Sequence, residues 1–108
     1  MNTNYSNRRI SHNQARTWME QYPEAIILDV RSNVEYSNGH IRNALLLPVD
    51  ILEDKAEQMM PDKNALILVY CRSGIRSCTA VQQLYAMGYK EVYDFGGILS
   101  WPYGITLR

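Results

Sequence analysis

The chain lacks the features that define several common classes of protein. Lys+Arg and Asp+Glu both number 11, so no excess of charge points to a nucleic-acid or membrane partner. No stretch approaches the roughly 18 apolar residues of a membrane span, and no apolar run near the start suggests a secretory signal. Two cysteines are too few for a disulfide scaffold. We therefore expect a cytoplasmic protein, in which an isolated cysteine is more often catalytic or redox-active than structural.

The few histidines and cysteines do not form a metal-binding pattern. His12 and His40 stand apart and Cys78 follows Cys71 by seven residues, whereas zinc ligands come in pairs at short spacing. We expect no metal ion, and we expect His12 in the first turn of a surface helix. Cys78 has two interpretations: a resolving cysteine that closes a disulfide on Cys71, or the one we favour, a small half-buried residue of the following helix.

Short apolar runs alternate along the chain with segments of helical periodicity. The runs predict a short first strand ending at Ile10 and strands at residues 25–30, 44–47, 65–70 and 91–95. Capping patterns predict helices starting at Ser11 (with Gln14), Ser32 (with Glu35) and Asp50 (with Glu53), and a fourth from the loop after Cys71 to Met87, capped by Gly88.

This alternation predicts an α/β fold in three layers, α/β/α. Short connections between strands and helices favour a mostly parallel central sheet of about five strands with helices on both faces. Ligands of such sheets bind beyond the carboxyl ends of the strands, and Cys71 follows one of those ends. The chain has no repeat or linker, so we predict one domain over residues 1–108 with a flexible start at residues 1–7.

Cys71 is the most informative residue of the sequence. It lies between an apolar run and the segment Arg-Ser-Gly-Ile-Arg-Ser at residues 72–77. Gly74 lets this loop curl so that its N–H groups point inward. Unpaired N–H groups at the start of the next helix, together with Arg72 and Arg76, favour the nucleophilic thiolate over the thiol. The two arginines also offer planar forks to an oxyanion.

The segment after Cys71 resembles the active-site loop of rhodaneses, sulfurtransferases in which this cysteine carries a persulfide sulfur. The similarity runs from near Ile10 to the C-terminus. It includes four motifs in the family's order: Leu28-Asp29-Val30-Arg31, Glu35-Tyr36 with Gly39-His40-Ile41, the cysteine loop, and Gly96-Gly97-Ile98 with Trp101. The resemblance implies a rhodanese-like α/β domain in which Cys71 is the catalytic residue.

The resemblance also implies that the loop binds substrate. Its residues are Arg72, Ser73, Gly74, Ile75, Arg76 and Ser77. Their N–H groups would stabilise the thiolate and the outer persulfide sulfur much as an oxyanion hole does. Arg72 and Arg76 would steer and hold an anionic donor.

Four polar residues that precede the loop are candidates for lining or supporting the pocket. Asp29 and Arg31 either line the pocket or, as we favour, pair with each other or cap local backbone. Glu35 is a cap partner of Ser32, and it departs from the basic residue that helps hold substrate near this position in two-domain thiosulfate sulfurtransferases. That departure argues against efficient use of thiosulfate. His40 could be a general base, but the resemblance puts it in a structural turn.

The sequence thus predicts a cofactor-free sulfurtransferase. By resemblance, Cys71 takes sulfur from a small anionic donor, thiosulfate or another persulfide donor, and passes it to cyanide, a thiol or a protein acceptor. Two alternatives stay open: a persulfide carrier or sulfide-sensing module that docks onto other proteins, and a cysteine phosphatase or arsenate reductase. Such phosphatases carry His-Cys, five residues and an arginine, whereas here Tyr70 precedes Cys71 and four residues separate Cys71 from Arg76. The sequence does not define the oligomeric state.

Overall fold

The structure, a computed structural model, describes residues 8–108. Its helices are α1 His12–Gln21, α2 Asn33–Ser37, α3 Leu52–Met59 and α4 Ile75–Ala86. Its strands are β1 Ile26–Asp29, β2 Leu45–Leu46, β3 Leu66–Cys71 and β4 Glu91–Gly97. Within the described range, no helix is both long and apolar enough to cross a membrane. The predicted extent of the domain and its flexible start include residues outside this range and stay a prediction.

The four strands form one parallel sheet in the order β2-β1-β3-β4. The α/β class and the parallel sheet are therefore confirmed, but the sheet has four strands where the sequence predicted about five. Within the described residues, the expected first strand contributes only a bridge between Arg9 and Asp94, with the Ile10 N–H bonded to the Asp94 carbonyl at 2.9 Å. It stops there because Ser11, immediately after Ile10, already caps α1.

Helices cover both faces of the sheet, as predicted. Along β3, Ile67 and Val69 point to a core shared with α3 and α4, while Leu68 and Tyr70 point to a second core beneath α1. Successive residues of a strand face opposite sides, so a strand that is covered on both faces must be apolar throughout. This double burial explains the continuous apolar run before Cys71.

Two of the three predicted helix caps are present. Ser11 accepts a hydrogen bond from the Gln14 N–H, and Ser32 forms a complete capping box with Glu35. The predicted cap of α3 at Asp50 is wrong. Pro48 starts a 3₁₀ turn at Val49–Ile51, so Asp50 lies within that turn and α3 begins without a side-chain cap.

The topology puts Cys71 at the centre of the sheet's carboxyl edge. Cys71 is the last residue of β3, which lies between β1 and β4, and α4 begins four residues later. Gly74 adopts a φ of 110°, a left-handed conformation that favours glycine and turns the chain into the helix. The cysteine loop therefore lies between the segments that follow β1 and β4.

Candidate active site

The Cys71 thiol is buried within the curl of its own loop. The residue is 1% exposed, and its Sγ accepts a hydrogen bond from the Gly74 N–H at 3.0 Å and lies 3.5 Å from Ser77 Oγ. Burial raises the pKa of Cys71, but the Ser77 hydroxyl and the N–H groups of Ser77, Gly74 and Ser73 outweigh it, and the pKa is lowered. The loop therefore stabilises a thiolate through hydrogen bonds more than through its arginines.

Ser77→Ala is expected to raise the pKa of Cys71, because it removes the side-chain hydrogen bond that favours the thiolate. Alkylation of Cys71 by iodoacetamide, followed by mass spectrometry across a pH series, should be several-fold slower at pH 6 in this variant. Thr79→Ala, which removes an exposed hydroxyl from the same helix, is the matched control. An unchanged titration of Cys71 in Ser77→Ala would contradict this assignment.

The two arginines of the loop differ in what they contact. Arg76 is held by Glu35 in a two-point ion pair, with Nη1 at 2.7 Å from Oε1 and Nη2 at 2.8 Å from Oε2. Arg72 is exposed, and its side chain makes no hydrogen bond or ion pair within residues 8–108. The guanidinium of Arg76 is thus already bound to a carboxylate. A role for Arg76 in donor binding stays a prediction, and it requires the Arg76–Glu35 ion pair to break.

Glu35 joins the start of α2 to the cysteine loop. Its Oε1 accepts hydrogen bonds from both the Ser32 N–H and Arg76. The hydrogen bonds from Arg76 lower the pKa of Glu35 to about 2; partial burial opposes this effect and the contacts with Ser32 add to it. The same carboxylate therefore caps a helix and neutralises a cation of the loop.

Glu35→Gln is expected to reduce stability in a pH-dependent way. A carboxylate whose pKa is lowered on folding stabilises the protein above its unfolded pKa and stops doing so as pH falls through the folded value. The loss in urea-unfolding free energy should therefore be full above about pH 5 and disappear toward pH 2. Glu20→Gln, which breaks the exposed Arg16–Glu20 pair, should show little change in either range. If Glu35→Gln lowered the free energy of unfolding equally at every pH, the ion pair with Arg76 would not be the cause of the loss.

Asp29 and Arg31 form an ion pair with each other, which is the interpretation that we favour from the sequence. They are 0% and 5% exposed, and Arg31 contacts both carboxylate oxygens, through Nε to Oδ1 at 3.0 Å and Nη2 to Oδ2 at 2.7 Å. The Tyr70 hydroxyl donates to Asp29 Oδ2 at 2.6 Å and accepts from the Ile41 N–H. Nη2 of Arg31 also donates to the Gly39 carbonyl. This buried network fixes the ends of β1 and β3 next to the loop.

His40 forms an isolated antiparallel bridge with Thr106, not the predicted turn, and it makes no hydrogen bond to Cys71. Its ring stacks on Tyr36 at 3.6 Å between centroids, and its Nδ1 lies 2.8 Å from the Tyr36 carbonyl. Its backbone exchanges two hydrogen bonds with Thr106. These contacts suit the structural role and offer no path to general-base chemistry at the thiol.

The end of β4 and the segment after it brace the loop, a role in the site that the sequence did not predict. A Cβ on Gly97 would clash with the Arg72 carbonyl and lie 2.6 Å from Ser73 Cα, so only glycine fits there. The Leu99 N–H donates to the Arg72 carbonyl at 3.2 Å, and Ser77 Oγ lies 3.5 Å from the Gly96 carbonyl. The Gly96-Gly97 doublet directly after a predicted strand was the signal that could have located this close approach.

In the part of the chain that the structure describes, a groove lies on each side of the loop. One has a volume of about 430 Å³. Four polar or charged side chains line it (Arg31, Glu35, Asn38 and Arg72), as do four apolar ones (Ile98, Leu99, Trp101 and Ile105). The other, of about 500 Å³, lies on the side of Arg76 and Ile51. A small donor thus has two approaches, and they differ in which arginine it meets.

Neither a disulfide nor a metal cluster is present among the described residues. Cys71 and Cys78 are both free, and the Cys78 sulfur accepts a hydrogen bond from Gln82 Nε2 at 3.4 Å in a half-buried position on α4. Within residues 8–108, no group of three or more His, Cys, Asp or Glu side chains could hold a metal ion. His12 packs its ring edge-on against Trp101 at 5.3 Å between centroids.

Comparison with known proteins gives a consistent result. The family model of the rhodanese-like domain matches residues 11–102. The thiosulfate sulfurtransferase GlpE of Coxiella burnetii is 38% identical over 95 residues, which cover 87% of this chain and 86% of that protein. The tRNA uridine(34) hydroxylase of Erwinia tasmaniensis is 37% identical over 84 residues, 73% of this chain but 24% of the relative, so the chain spans about a quarter of that protein. A rhodanese-like domain protein from Staphylococcus aureus superposes with a TM-score of 0.81 at 28% identity, covering 94% of this chain and 98% of that one.

Proposed function

The chain belongs to the rhodanese-like family, and from this premise we propose that it is a sulfurtransferase that carries sulfur as a persulfide on Cys71. The observation that carries the proposal is the thiol itself, buried at the end of β3 with loop N–H groups directed at its sulfur and a lowered pKa. The likeness to a protein named thiosulfate sulfurtransferase supports thiosulfate as one donor.

In the first half-reaction, the Cys71 thiolate attacks the outer sulfur of thiosulfate. A bond forms between Sγ and that sulfur, the bond to the central sulfur breaks, and sulfite leaves with the electron pair. The N–H of Gly74, already 3.0 Å from Sγ, and the other N–H groups of the loop stabilise the negative charge of the persulfide. The exposed Arg72 attracts the anionic donor and retains the anion until sulfite leaves.

In the second half-reaction, a thiophilic acceptor attacks the outer sulfur of the persulfide. Cyanide in an assay, or a small thiol or protein thiol in the cell, takes the sulfur and returns Cys71 to its thiolate. Two half-reactions through one covalent intermediate give ping-pong kinetics. The chemistry needs no cofactor.

The proposal is tested by intact mass spectrometry after incubation with thiosulfate. We expect a gain of one sulfur atom, about 32 Da, that maps to Cys71 and disappears on addition of cyanide or dithiothreitol. The same treatment of Cys71→Ser is the control. An adduct that forms equally on that variant, or no adduct on the wild-type protein, would overturn the proposal.

The phosphatase alternative loses support from the geometry of Arg76. A phosphatase needs that arginine to grip a tetrahedral phosphate together with the loop N–H groups. Here both of its terminal nitrogens bind Glu35. The persulfide-carrier alternative uses the same thiolate, so turnover with free thiosulfate and cyanide separates it from an enzyme.

A further inference from the structure

We propose that the groove beside Arg72 binds an organic sulfur donor that has an apolar body and a single negative charge, in preference to the dianion thiosulfate. The inference rests on the proposed sulfurtransferase function and names the substrate class of the same site. Two observations carry it: the charge that remains at the mouth of the site, and the character of the groove wall.

Among the described residues, one cation without an acidic partner remains at the site. Arg31 is neutralised by Asp29, and Arg76 is neutralised by Glu35 in two-point ion pairs. Of the arginines that line the two grooves, only Arg72 has no acidic partner within residues 8–108. A single guanidinium balances one negative charge, so a dianion leaves one charge uncompensated.

The wall of the groove offers apolar surface that thiosulfate cannot use. Leu99 and Ile105 line it and are 64% and 58% exposed. Trp101 is held in place by ring contacts with His12, Phe95 and Tyr103 at 5.3, 5.2 and 4.9 Å between centroids, so its surface is fixed before a ligand arrives. Pockets of this size that combine apolar walls with a few polar or charged groups are typical small-molecule sites.

Together these features suit an organic thiosulfonate, R–SO₂–S⁻, or an organic persulfide, R–S–S⁻. The head lies at Arg72, the residue next to Cys71, and the R group lies on the apolar wall. For a thiosulfonate, Sγ bonds to the terminal sulfur, the bond between the two donor sulfurs breaks, and the sulfinate R–SO₂⁻ leaves with the electron pair. A persulfide releases the thiolate R–S⁻ in the same way, so charge balances in both cases.

The groove is tested first without chemistry, on Cys71→Ser, by calorimetric titration with unreactive sulfonates. Benzenesulfonate is expected to bind at least about tenfold more tightly than methanesulfonate, which has the same charged head without the ring. Leu99→Ser should remove most of that difference. Ile51→Ser, an exposed apolar residue on the opposite groove, is the matched control and should leave it intact. Equal affinity for the two sulfonates would overturn the inference.

The second test is kinetic. For the wild-type protein, kcat/KM with benzenethiosulfonate is expected to exceed that with thiosulfate by about tenfold or more, and Ile105→Ser should lower this ratio while Ile51→Ser does not. Benzyl persulfide in place of the thiosulfonate distinguishes the two donor types. Glu35→Gln, which leaves Arg76 without its anion, should shift the preference toward thiosulfate. If the wild-type protein used benzenethiosulfonate and thiosulfate with equal kcat/KM, the inference would be overturned. If no donor formed a persulfide, the proposed function would be overturned instead, and the binding test would then decide whether the groove binds organic anions.

Discussion

Cys71→Ser is expected to lower kcat/KM for the transfer of sulfur from thiosulfate to cyanide by about a thousandfold or more. A serine hydroxyl stays protonated where the loop stabilises a thiolate, and it cannot form a persulfide. The loop N–H groups then have no charged sulfur to stabilise, although the fold is unaffected because the substitution is nearly isosteric. Formation of thiocyanate is the measurement, with circular dichroism to verify the fold.

Cys78→Ser is the matched control for this loss. Cys78 is half-buried, and its sulfur contacts Gln82 on the surface of α4. The variant should keep most of the activity. Complete loss of activity in Cys78→Ser would instead give that residue a role as a resolving cysteine.

Asp29→Ala is expected to cost about 3–5 kcal/mol of unfolding free energy. It leaves the Arg31 guanidinium buried without its anion and removes the acceptor of the Tyr70 hydroxyl. Since domains of this size are stable by only about 5–15 kcal/mol, urea unfolding should reveal a large fall in the midpoint.

A double variant shows whether the buried charge is the cause. Asp29→Ala combined with Arg31→Met removes both charges, so its cost should be smaller than the sum of the two single costs. If the two single losses of unfolding free energy added up in the double variant, or if Asp29→Ala alone lost less than about 1 kcal/mol, water would be solvating the Arg31 guanidinium in place of Asp29.

The sequence predicted those parts of the fold that depend on local pattern. The apolar run before Cys71, the caps at Ser11 and Ser32 and the left-handed Gly88 each follow from a few neighbouring residues, and each is present. The features that were predicted wrongly depend on residues far away in the sequence. Within residues 8–108, the first strand is reduced to a bridge between Arg9 and Asp94. The start of α3 moves because the Val49 N–H donates to the carbonyl of Val30, the residue after β1.

The same division holds at the site. The strand, loop and helix around Cys71 lie within one segment and could be predicted. The partner of Arg76 could not, because Glu35 lies 41 residues away and its spacing from Ser32 already explained it as a cap. The clash that makes Gly97 necessary likewise joins the end of β4 to the cysteine loop, about 25 residues earlier in the chain.

The brace between the cysteine loop and the segment after β4 has a consequence for the newly made chain. The Arg72 carbonyl accepts a hydrogen bond from the Leu99 N–H, and Cys71 is the strand partner of Gly97. We therefore expect the loop to take up its curled conformation only when β4 has joined the sheet. Pairing between distant segments of this kind is completed late in folding. Until then the cysteine is an ordinary thiol without oriented N–H groups around it. If Cys71 carries sulfur as we propose, nascent and partly unfolded chains are therefore expected to take it up slowly.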